Sequence, residues 1–370
     1  MKKFFALLLA FLLVFSFENK VNALSVSAAS AVLIDGDTGH VLYEKNKDAR
    51  LSMASTTKIM TALLLCENKD LNETVTVGSE ILSAEGTSLG LKQGMKVTCK
   101  TLLYGMMLAS GNDAANVAAV AVSGSIECFV NLMNQKAKEL GLVNTNFNTP
   151  SGLDGETHYT TAYELAVLTQ YALCNKDFAA ACSKKSETVE LGGIKVTLTN
   201  HNRLLNTVRG VIGVKTGFTK KSGRCLVSAA KRNGVYLIAV TLKAPNDWED
   251  HKQMLGYGFS VVKPKKYFYE KEKFSFEVIS GEKNNSFAES ETVSFSVGEN
   301  TKITRNVYIP KFIYAPIKKG EEIGFIEYKN GENLIARSSL VCTEDIKANE
   351  KITFFEKFKL NLSLILGDII

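Results

Sequence analysis

The rhythm of apolar and polar positions changes along this chain. Val32-Leu33-Ile34 and Val41-Leu42-Tyr43 are short apolar runs around Asp35-Gly36-Asp37-Thr38-Gly39, which predicts a hairpin over 29–45. Helical spacing follows. Ile59–Leu65 is an apolar helical run, with Ser52, Ser55, Thr56 and Thr57 ahead of it as candidate caps. Leu102–Leu108 and Ala114–Val122 predict two helices broken at Ser110-Gly111-Asn112. Ile126–Leu140 is amphipathic and stops at Gly141, and Ala162–Leu173 is a further helix. Leu226–Ala230 and Val235–Leu242 read as strands joined through Asn233-Gly234, a tight-hairpin signal. Strands at both ends with helices between them predict an α+β domain, an antiparallel sheet flanked by helices, over 24–262.

Helical periodicity is lost after about Val262. Phe274–Val278 and Val293–Val297 alternate apolar with polar, and apolar stretches recur at 307–314, 323–328 and 334–341. This predicts a small all-β domain over 263–348. The tail, 349–370, changes again: on a helical wheel its Phe, Ile and Leu residues gather on one arc, with Leu360 and Leu364 as exceptions. It is too short and interrupted to span a bilayer. It reads as an amphipathic helix lying in the membrane interface, against the alternative of a helix packed on the β domain. At the other end, Met1-Lys2-Lys3, an apolar run from Phe4 to Phe17 and the small-residue site Val21-Asn22-Ala23 have the order of a secretory signal over 1–23. The expectation is therefore export, with the tail on the outer face of the cell membrane.

Composition adds little. Lys and Arg number 44 against 38 Asp and Glu, too even and too dispersed to argue for nucleic acid. Seven cysteines at irregular spacing, with no CxxC, read mostly as small buried residues rather than a disulfide framework. His40, His158, His201 and His251 are scattered, so no metal or other cofactor is expected.

Three short elements carry chemistry. In Ser55-Thr56-Thr57-Lys58, a helix starting at Ser55 puts Lys58 one turn on, on the same face. A serine hydroxyl needs a base, and lysine serves only if burial or a nearby cation lowers its pKa. Ser110-Gly111-Asn112 sits between helices, where a turn can present a hydroxyl and an amide to a cleft; a helix cap is the plain alternative. Lys215-Thr216-Gly217 offers a cation, a hydroxyl and room for a substrate backbone, against the alternative of a strand end with a turn glycine.

In this order the three match a set found in penicillin-binding proteins and class A β-lactamases. The chain resembles the low-molecular-mass penicillin-binding proteins, serine-type D-alanyl-D-alanine carboxypeptidases. Ala54–Ala62, Met107–Ala115, Gly213–Thr219, Pro150-Ser151-Gly152-Leu153 and His158-Tyr159 all look like family text, from about Ala29 to Phe259. The β domain and tail are similar in architecture more than in text. The resemblance implies a β-lactamase/transpeptidase-like fold. It implies Ser55 as acyl-enzyme nucleophile, Lys58 as general base and Ser110 as the donor of a proton to the leaving D-alanine, supported by Lys215. Asn112 would hold the peptide. Lys215 and Thr216, beside Gly217, would bind its terminal carboxylate. Backbone N–H groups of Ser55 and Phe218 would form the oxyanion hole. The implied partners are peptidoglycan stem peptides ending in D-Ala-D-Ala, with β-lactam antibiotics as acylating inhibitors. A class A β-lactamase fits less well: the chain has Ser-Gly-Asn for Ser-Asp-Asn, and Glu164-Leu165-Ala166-Val167-Leu168 lacks the Leu-Asn of the deacylation loop. A non-catalytic relative would be expected to lose the nucleophile or base, and both are present.

Overall fold

The computed structural model describes residues 24–349, so the expected leader and almost all of the tail lie outside the described residues. The first domain is built on an antiparallel sheet. Its strands are β1 (Ser30–Asp35) and β2 (Val41–Lys45) from the start of the domain, with β7 (Val211–Thr219), β8 (Gly223–Arg232) and β9 (Val235–Leu242) from its end. The spatial order is β2-β1-β9-β8-β7, so β1 pairs with β9 and the two ends of the domain close one sheet. The short strands β3 (Thr74–Thr76) with β4 (Lys96–Thr98), and β5 (Ser186–Leu191) with β6 (Ile194–Thr199), form two separate hairpin-like pairs.

The inner strands β1 and β9 are buried on both faces, which explains their nearly continuous apolar text. Val32 and Ile34 of β1 join one core, and Ala31 and Leu33 join the other. Strand β9 divides in the same way, Ile238, Val240 and Leu242 against Leu237 and Ala239. This is period-two alternation in which both partners are apolar. The larger core lies against α1 (Lys58–Asn68), α2 (Cys99–Met107), α3 (Asn112–Ser123), α4 (Ile126–Glu139), α5 (Ala162–Ala172) and α6 (Lys176–Ser183). After the single turn α7 (Leu204–Thr207), α8 (Asp247–Val261) covers the other face, where Met254 and Leu255 pack on Leu33 and Leu237. Each fully buried Leu or Ile contributes about 1.5–3 kcal/mol. The β8–β9 turn is the tight one expected: Arg232 pairs with Val235, and Asn233 and Gly234 have φ of +50° and +83°.

The second domain is all-β. Six strands run in the order β14 (Thr304–Tyr308), β16 (Glu322–Asn330), β17 (Asn333–Cys342), β12 (Asn285–Ser290), β11 (Lys273–Ile279) and β15 (Phe312–Tyr314). A separate pair joins β10 (Pro264–Tyr269) to β13 (Val293–Gly298). Phe276, Val278, Ala288, Ile326, Tyr328 and Leu340 form its core. The apolar stretch 307–314 is two strands on opposite edges rather than one, since Pro310 stands between them and has no N–H for a ladder. The Asn330 amide donates to the Asp37 carbonyl, tying this domain to the turn after β1. Among the described residues no single helix is long and apolar enough to cross a membrane.

Candidate active site

The nucleophile candidate sits in a tighter turn than expected. Ala54–Thr57 is a 3₁₀ turn that runs directly into α1 at Lys58. Side chains three apart eclipse in a 3₁₀ turn, so Lys58 stands over Ser55. The expected caps are corrected by the structure. No hydroxyl of the run accepts a helix N–H as a cap; Thr56 Oγ1 donates back to the Met53 carbonyl at 2.6 Å and Thr57 Oγ1 to the Ala54 carbonyl at 2.8 Å. These bonds hold a turn in which Ala54 has φ of +47°, a left-handed value disfavoured for any residue with a Cβ.

Lys58 is fully buried, and its Nζ has three neighbours: Ser55 Oγ at 3.1 Å, Asn112 Oδ1 at 2.6 Å and the Ser151 carbonyl at 2.7 Å. Two of these only accept, while the serine hydroxyl can also donate. A neutral amine has two N–H groups and one lone pair. Its two hydrogens match the amide and carbonyl oxygens, and its lone pair is left facing the Ser55 hydroxyl. Burial drives the Lys58 pKa well below the ordinary lysine value, the charge of Lys215 pushes the same way, and Asp113 opposes them. The three neighbours suit an ammonium or a neutral amine alike, so it is burial, together with the Lys215 charge, that favours the neutral form.

Asn112 begins α3. Its Oδ1 is taken by Lys58 and its Nδ2 donates to the Glu85 carbonyl, so one amide N–H remains for a substrate. Asp113, next along, organises the loop in front. Its carboxylate accepts from the Leu89, Gly90 and Leu91 N–H groups and from the Ser88 hydroxyl. Ser110 lies in the break between α2 and α3 with φ of +61°. Its Oγ accepts from Lys215 Nζ at 3.0 Å, and Lys215 also donates to the Thr216 carbonyl at 2.9 Å. Lys215 is buried, and burial lowers its pKa to about 7.

Lys215-Thr216-Gly217 is not a strand end. All three lie inside β7, the edge strand of the sheet, and Gly217 is not in a turn. Its bare Cα serves close approach: a Cβ there would stand 3.0 Å from the Ser55 backbone nitrogen and 3.1 Å from the Ala54 Cβ.

Together these elements wall a cleft of about 740 Å³. Ser55, Ser110, Thr216, Gly217 and Phe218 line it, and Phe218 is 66% exposed. Lys58, Asn112 and Lys215 stand buried behind that surface. The structure thus gathers every residue singled out from the sequence at one place. It also adds wall residues that had no motif to announce them: Thr87, Arg203, and Arg224 with Trp248. Arg224 Nε donates to Asp247 at 2.8 Å, and its guanidinium lies 5.7 Å from the Trp248 ring. The Ser151 carbonyl was equally hidden, because a main-chain acceptor has no side-chain signature. Glu164, the nearest match to a deacylating glutamate, is committed to the Asn144 N–H and the Thr145 hydroxyl.

With this geometry in hand, the chain can be set beside known proteins. Residues 17–246 match the family model for D-alanyl-D-alanine carboxypeptidases, and residues 254–348 match that for the C-terminal domain of penicillin-binding protein 5. The chain is 36% identical to the D-alanyl-D-alanine carboxypeptidase DacF of Bacillus subtilis over 353 residues, covering 91% of this chain and 90% of that protein. It is 32% identical to DacC of Escherichia coli over 356 residues, covering 90% and 88%. Among solved structures, penicillin-binding protein 5 of Haemophilus influenzae aligns over 87% of this chain and 98% of its own, with TM-score 0.61 and 27% identity. The Streptomyces K15 DD-transpeptidase aligns over 64% and 98%, with TM-score 0.61 and 32% identity. Two matched domains in one order and relatives spanning nearly the whole chain lead to one conclusion: it belongs to the low-molecular-mass penicillin-binding proteins, as a serine-type D-alanyl-D-alanine carboxypeptidase of the cell wall.

Proposed function

We propose that this enzyme trims the terminal D-alanine from peptidoglycan stem peptides through an acyl-enzyme on Ser55, and that β-lactams acylate the same serine. The observation that carries the reading is the buried Lys58 amine, whose Nζ lies 3.1 Å from Ser55 Oγ and is held there by two further acceptors, and whose neutral form is favoured by burial. Ser55 Oγ attacks the carbonyl carbon of the penultimate residue while its proton passes to Lys58 Nζ. The developing oxyanion meets the backbone N–H groups of Ser55 and Phe218. The peptide C–N bond then breaks, and the leaving nitrogen takes a proton from Ser110 Oγ, which is resupplied by the Lys215 ammonium at 3.0 Å. Thr216 and the Lys215 charge receive the terminal carboxylate, and Asn112 holds the peptide with its remaining N–H. Water then attacks the ester carbonyl, its proton passing through Ser110 to Lys215 while Lys58 gives its proton to the departing Ser55 Oγ, so both lysines regain their starting states as the shortened peptide leaves. Around this chemistry, residues 1–23 direct export, 24–262 form the catalytic domain, 263–348 the β domain, and the amphipathic tail at 349–370 holds the enzyme on the outer face of the membrane.

The test is mass spectrometry of the purified enzyme after penicillin and after a peptide ending in D-Ala-D-Ala. One covalent adduct on the Ser55 peptide, absent in Ser55→Ala, together with release of D-alanine, is the expected result. Labelling that survives in folded Ser55→Ala removes Ser55 from the role. Deleting 349–370 is expected to shift the enzyme from the membrane to the soluble fraction, and unchanged fractionation would refute the anchor.

A further inference from the structure

Behind the nucleophile turn, away from the cleft, runs a chain of hydrogen bonds that the mechanism above does not use. The Asn148 N–H donates to His158 Nδ1 at 2.9 Å. An imidazole nitrogen that accepts carries no hydrogen, so in the neutral ring the proton is on Nε2. His158 Nε2 faces Thr57 Oγ1 at 2.8 Å. The single proton of that hydroxyl is given to the Ala54 carbonyl at 2.8 Å, so the hydroxyl receives the Nε2 hydrogen. Every link therefore has one direction: Asn148 N–H to imidazole, imidazole to Thr57, Thr57 to Ala54. The ring is 2% exposed and lies edge-on to Phe147 at 6.0 Å. Burial holds its pKa down, at about 4, with Asp154 opposing and Lys221 reinforcing that shift, so it stays neutral near pH 7.

The chain ends on a residue in a disfavoured backbone conformation. Ala54 holds φ of +47° immediately before Ser55, and such a conformation persists only where its surroundings impose it. Gly152, with φ of +89°, packs so closely on the Ala54 carbonyl that any Cβ there would collide with it. From the same loop the Ser151 carbonyl holds Lys58. The 148–158 segment thus grips both the nucleophile turn and its base. The Ser55 Oγ to Lys58 Nζ distance depends on how the Ala54 peptide is turned.

We propose that His158 is a positioning residue for acylation: through Thr57 it fixes the Ala54 carbonyl and so the aim of Ser55 Oγ at Lys58 Nζ. It touches neither substrate nor base. The proposal rests on Ser55 being the nucleophile. Misplacement of a reacting atom by about 1 Å costs roughly 100-fold in rate, so the relay is worth roughly 10–100-fold in acylation.

The test uses two substitutions that keep different halves of the imidazole. His158→Gln places an amide N–H near the Nε2 position and can still donate to Thr57. His158→Asn reaches only the Nδ1 position, keeping the acceptor for Asn148 and losing the donor. Acylation by a fluorescent penicillin is timed on protein shown by thermal melts to be folded at the assay temperature. We expect His158→Asn and Thr57→Val each to slow acylation roughly 10–100-fold, with His158→Gln and Thr57→Ser recovering most of the rate. Because both losses act on one chain, the double variant H158N/T57V is expected to be no slower than the worse single variant. Equal rates for the Asn and Gln variants, multiplied losses in the double variant, or a loss that only tracks the unfolded fraction would each overturn the proposal. If His158→Asn does not fold, the Thr57→Ser and Thr57→Val pair carries the test alone. Mapping the wild-type adduct keeps the two ideas apart: an adduct away from Ser55 defeats the nucleophile assignment, whereas an adduct on Ser55 with an unchanged rate in His158→Asn and Thr57→Val defeats only this inference.

Discussion

The two domains place their charged groups in opposite ways. In the catalytic domain Lys58 and Lys215 are buried, and their partners come from far along the chain: Asn112 and Ser151 for one, Ser110 for the other. In the β domain charges stay near the surface and pair across neighbouring strands and turns, as in Arg337 with Glu322 and Lys283 with Glu344. A buried charge is costly, and the protein answers by neutralising it or surrounding it with acceptors. That cost is what brings lysine into the range of useful proton transfer. An exposed pair is screened and contributes about 0–1 kcal/mol. One domain accepts electrostatic tension to gain reactivity, and the other avoids it.

The largest expected effect lies at the base. Lys58→Met removes the lone pair facing Ser55, and Lys58→Arg replaces it with a group that does not deprotonate. Each is expected to slow penicillin acylation by roughly 10²–10⁴-fold. Fluorescent-penicillin kinetics check this, and a rate within a few-fold of wild type in Lys58→Arg would show that the buried amine is not the base.

The next prediction separates the domains. Tyr328 sits at the centre of the β-domain core, with ring centroids 4.5 Å from Tyr269 and 5.5 Å from Phe295. Tyr328→Ala is expected to cost that domain about 3–5 kcal/mol. Acylation is expected to stay within about twofold of wild type, because the two sites share no partners. Trp248, the single tryptophan, lies at the catalytic cleft, so its emission reports that domain alone. In Tyr328→Ala a denaturant transition followed by far-UV dichroism should begin before the one seen by Trp248. Coincident transitions with slowed acylation would mean that the contact between Asn330 and Asp37 couples the domains into one unfolding unit.

A pH profile probes the tension itself. The proposed mechanism needs Lys58 neutral and Lys215 cationic, and burial lowers the pKa of both. Lys215 loses its proton as pH rises through about 7, so kcat/KM for a D-Ala-D-Ala peptide should fall above that point. A bound carboxylate favours the ammonium and raises its pKa, so the alkaline limb of kcat should lie at higher pH than that of kcat/KM. A kcat/KM that stays flat far into the alkaline range would remove Lys215 from a cationic role.

What the sequence revealed follows the same division. Alternation exposed the β domain, because period two is local and each half-buried strand writes it independently. The Asn233-Gly234 hairpin was legible for a similar reason: both residues need left-handed φ, and Asn and Gly adopt it most readily. Strand β7 was not legible. Gly213, Lys215 and Gly217 interrupt its apolar text, and each answers a tertiary demand. Gly217 clears room for the Ser55 nitrogen, and a Cβ on Gly213 would come within 2.8 Å of the Cys182 Cβ. The candidate catalytic side chains were found as motifs. Ser151, Asp113 and His158 lie in stretches that resemble the family, but what each touches, the Ser151 carbonyl on Lys58, Asp113 on the 88–91 loop and His158 on Thr57, appears only in the fold.

The smallest expected effect is on the surface of the β domain, where the comparison can fail most quietly. Arg337 Nη2 meets Glu322 Oε1 at 2.8 Å with both side chains nearly half exposed, and its guanidinium also lies 4.0 Å from the centroid of the Phe325 ring. Arg337→Ala should cost no more than about 1 kcal/mol in the denaturant midpoint of that domain. Salt divides the cost between its two sources. An ion pair this exposed is screened away at about 1 M ionic strength, where the Debye length is ~3 Å, whereas packing over the ring persists. Arg337→Lys keeps the charge and loses the planar stack. If the charge dominates, Arg337→Lys matches wild type at low salt and Arg337→Ala approaches it at high salt. If both variants stay equally destabilised at high salt, the stack dominates. The arginine is then a packing residue that happens to be charged, and the contrast between the domains concerns burial of charge alone, not the number of pairs each displays.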